Sequence, residues 1–216
     1  EVDTGAPELA GADISDKSPC TVTSSMRTKT HGTAMASLLV ARDYGISPNA
    51  KILTYRLTLP AEGDSSGTDC QNAAGIRKDT VPSLINAAIN DGAQIITISS
   101  SNEGGTDPLK WAMARAVSQG IIITAATGNN AKNETDVSYE KWSGVIGVTA
   151  IDTDGNFQDY SSWGEGVVSA AIGGPVKVRD YSTGQITPVS GTSISAPLVA
   201  GSLALARQKW PQATTN

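Results

Sequence analysis

From residue 93 to residue 150 the chain keeps repeating one pattern, in which a short β-branched run alternates with a stretch whose apolar residues recur at helical spacing. Ala93 to Ser99 carries Ile95, Ile96 and Ile98, and Leu109 to Ser118 has helical periodicity. Gly120 to Ala126 holds Ile121, Ile122 and Ile123, and Gly144 to Ala150 is the last such run. Runs this short and this apolar have no face left for water. They predict parallel strands covered by helices on both sides, an α/β fold.

The flanking segments extend the pattern. His31-Gly32 opens a run with Ala34, Ala36, Leu38, Leu39 and Ala41, which predicts a helix over 31–43 stopped by Gly45 and Pro48. Residues 51–57 read as a strand and 60–75 as an exposed loop rich in Gly, Ser and Asp. A helix over 82–90 takes Asp79 or Thr80 as its cap, with Pro82 tolerated in the first turn. Beyond 150 come a tight turn at Asp152 to Gly155, a small-residue loop from Tyr160 to Gly166, a strand from Val167 to Ala171 and a hairpin over 176–189. A closely packed helix follows Gly191 and stops before Pro211.

Composition narrows the functional classes. With 216 residues and 39% in the hydrophobic set, one substantial core is the expectation, so the chain 1–216 reads as a single domain. Sixteen basic against 21 acidic residues give a net charge of −5, with no long basic block, which argues against nucleic acid or an anionic membrane as partner. No stretch is long and apolar enough to span a membrane. Two cysteines, Cys20 and Cys70, exclude a small disulfide-stapled scaffold and a four-cysteine metal site, while leaving a single bridge open.

His31 is the sole histidine, so any histidine-dependent catalysis must use it. Alone it reads equally as a capping or surface residue. Gly191-Thr192-Ser193 leads into a helix and puts a hydroxyl at the positive end of its dipole, which suits a nucleophile, although taken alone an ordinary N-cap is the commoner reading. Thr127-Gly128-Asn129 ends an apolar strand in a glycine turn and an amide, which alone is an ordinary turn.

Three motifs decide between these readings. Asp3-Thr4-Gly5, His31-Gly32-Thr33 with Ala34 and Ala36, and Gly191-Thr192-Ser193-Ile194-Ser195-Ala196-Pro197 together resemble the active-site motifs of the subtilisin-like serine peptidases. They occur in the family's order, separated by 28 and 162 residues. The resemblance implies a three-layer α/β fold with a mostly parallel central sheet flanked by helices. It implies a serine endopeptidase with Ser193 as nucleophile, His31 as general base and Asp3 as the carboxylate that orients the imidazole. Asn129, with Asn130 as its neighbouring alternative, takes the place of the oxyanion donor. Ser99, Ser100 and Ser101, which follow an apolar strand, take the place of the substrate-pairing edge, with Gly128 in a second wall.

Further expectations come with the resemblance. Substrates are proteins or peptides bound in extended form, and a proregion belongs to the precursor. The chemistry requires no cofactor or catalytic metal. Family members often hold a structural calcium, for which Asp13, Asp16, Asp64, Asp152, Asp154 and Asp159 offer oxygens without forming a recognisable calcium loop. A Cys20–Cys70 bridge is implied by extracellular members, and with it a secreted or cell-surface address; reduced, buried thiols are the alternative. The residues around His31, Pro48-Asn49-Ala50 and Cys70 resemble actinobacterial, secretion-associated members. The pattern departs from the family at both ends. Asp3 has almost no strand before it and the chain stops shortly after Pro211, which reads as truncation and leaves a catalytically weak peptide-binding domain as the alternative function. A surface-interaction domain without peptide binding is a third reading.

Overall fold

The computed structural model describes residues 1–58, 65–100, 106–133 and 139–213. Its contacts divide the chain into two compact units: residues 1–92 with 177–187, and residues 93–176 with 188–216.

The second unit contains the apolar pattern of the sequence. β5 (Ile95–Ile98), β6 (Ile122–Ala126), β7 (Val145–Ile151) and β8 (Val167–Ile172) form one sheet in the order β5-β6-β7-β8. All three pairings are parallel, as the β-branched runs predict. Every residue of β6 is buried, so both of its faces are covered. Burial of side chains such as Ile122 and Ile123 contributes about 1.5–3 kcal/mol each, more than a typical net hydrogen bond, so this strand fixes the scaffold. α4 (Thr192–Lys209) packs against all four strands, and α3 (Asp107–Ser118) packs on β6. Ala196, at 0% exposed, joins Ala126 and Val148 in the core. Small residues let α4 approach the sheet closely.

The first unit is built from smaller pieces. β1 (Ile14–Asp16) pairs in parallel with β3 (Ile52–Thr54), and β2 (Val22–Thr23) pairs antiparallel with β4 (Ser65–Ser66). α1 (Met26–Val40) buries Ala34, Met35, Ala36, Leu39 and Val40, and α2 (Val81–Asn90) buries Val81, Leu84, Ile85, Ala88 and Ile89. Residues 177–187 belong to a hairpin of β9 (Val176–Arg179) and β10 (Ile186–Val189), as expected for 176–189. Cys20 and Cys70 form a disulfide, and both are buried beside Val22.

Two expectations are corrected. The strand expected over 51–57 is confined to Ile52–Thr54. The helix expected over 31–43 starts five residues earlier, because Ser25 caps it: its hydroxyl accepts the Thr28 N–H at 3.1 Å. His31 therefore lies in the second turn of α1 rather than at its start.

Candidate active site

Ser193 and Asn129 lie in the second unit. β6 delivers Thr127, Gly128 and Asn129 to its C-terminal end, and the turn at Gly191 starts α4 beside them. Gly191 is needed for space: a Cβ there would sit 3.0 Å from Asn129 Nδ2 and 3.2 Å from Ser193 Oγ. The amide and the hydroxyl thus converge on one point, and Ser193 is half-buried among buried neighbours.

Hydrogen bonds fix the amide's orientation. Asn129 Oδ1 accepts from the Thr192 N–H at 2.8 Å and from the Thr192 hydroxyl at 3.0 Å. With its oxygen doubly engaged on Thr192, the side chain has only its NH₂ group to offer elsewhere. The Thr192 hydroxyl in turn accepts the Gly128 N–H at 3.1 Å, which closes the link between the strand end and the helix start. Pro197 lacks the N–H that would bond the Ser193 carbonyl, and its ring is buried in α4.

A second tier holds this turn. Ser162, fully buried, accepts the Asn130 N–H on its hydroxyl at 3.2 Å, while its own N–H donates to the Gly128 carbonyl at 2.9 Å. Ala131 N–H donates to the Tyr160 carbonyl at 2.9 Å. Ser195 donates to the Ala171 carbonyl at 3.0 Å, and Gly191 N–H to the Gly173 carbonyl at 2.8 Å, so the α4 start is tied to the end of β8. Sequence reasoning missed Thr192 and Ser162 as parts of the site. The only signal was a buried-type Thr or Ser beside each motif, which also suits turns.

Asp3 and His31 lie in the first unit. Asp3 is held against α1 at Lys29 and Thr33. Its N–H donates to the Thr33 hydroxyl at 2.9 Å, and that hydroxyl donates to the Lys29 carbonyl at 2.7 Å. Asp3 Oδ1 accepts the Gly5 N–H at 3.1 Å, and Oδ2 pairs with Lys29 Nζ at 3.1 Å. The close approach of the N-terminal residues requires Gly32, where a Cβ would lie 1.8 Å from the Glu1 carbonyl oxygen. Lys29, Gly32 and Thr33 thus share the face of α1 that meets residues 1–3. His31, two positions from Lys29, leaves the helix about 200° further round its axis, and it is exposed. Lys29, Thr33 and Gly5 contribute contacts that position Asp3. Lys29 was not singled out in the sequence, because a lysine before a histidine carries no distinctive pattern.

The proposed substrate edge falls at the end of β5, which pairs only with β6 among the described strands. Ser99 and Ser100 follow it and are half-buried. Ser101 and Asp64 lie outside the described residues. No three of the described aspartates bring their oxygens together; the one compact group of donor atoms is Cys20, Cys70 and Asp79, and its two sulfurs are bonded to each other. Asp152 accepts from Asp154 N–H, Asn156 N–H and the Asn156 amide, and these bonds hold its carboxyl below the usual carboxylate range. Asp16 is desolvated, but bonds from Ser18 and the Arg56 charge outweigh this and lower its pKa. Asp152 is thus engaged in a turn and Asp16 in an ion pair with Arg56.

Comparison with known proteins shows the family of the chain. Residues 9–216 match the subtilase family, peptidase family S8, and the chain belongs to it. It is 31% identical over 193 residues to a thermostable alkaline protease of Halalkalibacterium halodurans, covering 86% of this chain and 49% of that protein. It is 30% identical over 189 residues to subtilisin DY of Bacillus licheniformis, covering 84% of this chain and 64% of the relative. The chain therefore spans about half to two thirds of the length of these relatives. Among solved structures, the protease domain of PatA aligns with a TM-score of 0.77 at 25% identity, covering 99% of this chain and 79% of that one. The subtilisin-like α/β fold expected from the sequence is the fold of this chain.

Proposed function

We infer that this chain is the catalytic domain of a serine endopeptidase that hydrolyses peptide bonds in extended polypeptides through an acyl-enzyme intermediate. The observation that carries the reading is the convergence of Ser193 Oγ and Asn129 Nδ2 on one point, with the amide oxygen engaged by Thr192. That arrangement suits attack by a hydroxyl on a carbonyl whose oxygen gains charge beside an N–H donor. His31 takes the Ser193 proton and returns it to the leaving amine; Asp3 holds the tautomer and stabilises the imidazolium. Ser99, Ser100 and Ser101 with Gly128 line the extended substrate. Residues 1–216 act as one peptidase domain, with a proregion in the precursor and a secreted or cell-surface address, to which the Cys20–Cys70 disulfide is suited. The secretion-associated subclass rests on the residues around His31, Pro48 and Cys70.

A second reading has its own support: Lys29 pairs with the Asp3 carboxylate, as expected of a peptide-binding relative without turnover. Cleavage of an unfolded polypeptide separates the two. The peptidase reading expects turnover in the wild type and loss of it in Ser193→Ala with the fold retained. Saturable peptide binding without turnover in the wild type supports the second.

A further inference from the structure

We propose that the pocket between α1 and the β9–β10 hairpin is a binding site for a neutral, hydroxyl-bearing ligand of the size of one sugar ring. The proposal stands apart from the peptidase reading, because every residue that lines the pocket belongs to the first unit and none is a proposed catalytic residue. Its floor is buried, formed by Thr33, Ala34 and Ser37 of α1 with Val178 of β9, and its rim is exposed at Tyr44, Lys177 and Ile186. At about 180 Å³ it is far larger than one water needs and smaller than the pockets that take drug-sized ligands.

Glu8 and Tyr181, which also line the pocket, give it its chemistry. Glu8 Oε1 accepts from Arg179 Nε at 2.7 Å, while Glu8 Oε2 and the Tyr181 hydroxyl are buried without a hydrogen-bond partner among the described residues. The floor hydroxyls have no proton to give them, since Thr33 donates to the Lys29 carbonyl at 2.7 Å and Ser37 to the Ala34 carbonyl at 2.8 Å. Tyr181 is itself held in place: its N–H donates to the Thr30 hydroxyl at 2.9 Å, and Lys29 Nζ lies 5.7 Å from the centre of its ring. Burial, then the Glu8 and Asp3 charges, push its pKa up, so the phenol stays protonated and can donate as well as accept.

A buried carboxylate oxygen without a donor is costly, so a ligand that brings an O–H or N–H is favoured. The charges of the lining decide its class. Lys177 and Arg179 stand against Glu8 alone, so a further cation beside Glu8 is repelled by two others. An anion suits Lys177 but brings no proton for Glu8 Oε2. A neutral ring with several hydroxyls meets both requirements: one donates to Glu8 Oε2, others accept from Tyr181 and Lys177, and its C–H face packs on Ala34, Val178 and Ile186.

The test is a titration of the isotope-labelled full chain with methyl glucoside, methyl mannoside and methyl N-acetylglucosaminide, each to about 100 mM, followed by amide resonances. Shifts confined to residues 33–44 and 177–186 should saturate with at least one glycoside, with a Kd in the millimolar range expected of so small a ligand. Tyr181→Phe, which removes only a hydroxyl, should weaken that binding about tenfold, and Glu8→Gln, which removes the charge and keeps the shape, at least as much. The phenylalanine variant decides the matter by itself where the glutamine variant does not fold. No saturable shift in the pocket with any of the three glycosides, or unchanged affinity in either folded variant, would overturn the proposal. Tighter binding of acetyl-lysine methylamide or of acetate than of every glycoside would also overturn it, by making the pocket a site for a charged group. Turnover of peptides bears on none of these readouts.

Discussion

The surroundings of Ser193 and those of Asp3, each within its own unit, are built in different ways. Around Ser193 and Asn129 the framework is buried, with Thr127, Thr192, Ser161, Ser162 and Ser195 all at 1% exposure or less. Asp3 rests on the buried Thr33, but its carboxylate pairs with Lys29 in an ion pair whose side chains are 27% and 30% exposed. Hydrogen bonds in a desolvated setting hold geometry firmly and are costly to break, whereas a half-exposed ion pair is weak and screened by salt. The groups around Ser193 and Asn129 are thus held by the core, while the Asp3–Lys29 pair is open to solvent and salt.

The largest expected effect tests the rigid half. Asn129→Ala should lower kcat by about 10²–10³, the loss found when this type of donor is removed from subtilisin, a member of the same family, with KM little changed. Thr192→Val removes only the hydroxyl that orients the amide, and about tenfold in kcat is the expected loss. If the valine variant loses as much as the alanine variant, Thr192 has a role beyond orientation. If neither loses rate, the preorganised half is not the catalytic one.

Stability provides the next test, on the first unit. Replacing Cys20 and Cys70 by Ser should cost about 2–4 kcal/mol in urea unfolding, because the bridge closes a separation of 50 residues. Asp79 is 1% exposed, and burial raises its pKa, but bonds from the Arg77 guanidinium and the Thr58 hydroxyl outweigh this and hold it below the usual range. A carboxyl with a depressed folded-state pKa contributes stability that is present above the unfolded value near 4. That contribution is lost as pH falls through the folded value. Asp79→Asn should therefore cost about 1–3 kcal/mol at pH 7 and progressively less below pH 4, read from urea midpoints across that window. A constant difference at all pH values would show that shape, not charge, is lost.

What the sequence could show follows the same division. The β5 to β8 sheet was legible because isoleucine runs and helical periodicity report burial directly, and residues 95–151 need little else. Ser193 and Asn129 were legible as motifs, but the bonds from Thr192 and Ser162 join residues tens of positions apart, and only the folded chain shows them. The start of α1 was misplaced because His31-Gly32 looks like an opener, while the capping serine at 25 precedes Met26 and Arg27, which do not announce a buried face. Lys29 was invisible: its partner Asp3 lies 26 residues away, and an exposed lysine is the commonest thing on a helix.

The most direct test of the central claim is intact-mass and peptide mapping after reaction with a fluorophosphonate. The account predicts one adduct per chain, located on Ser193, absent in Ser193→Ala and slowed by at least 10²-fold in His31→Ala. An adduct at another residue, or labelling of Ser193 at the same rate without the imidazole, would contradict it.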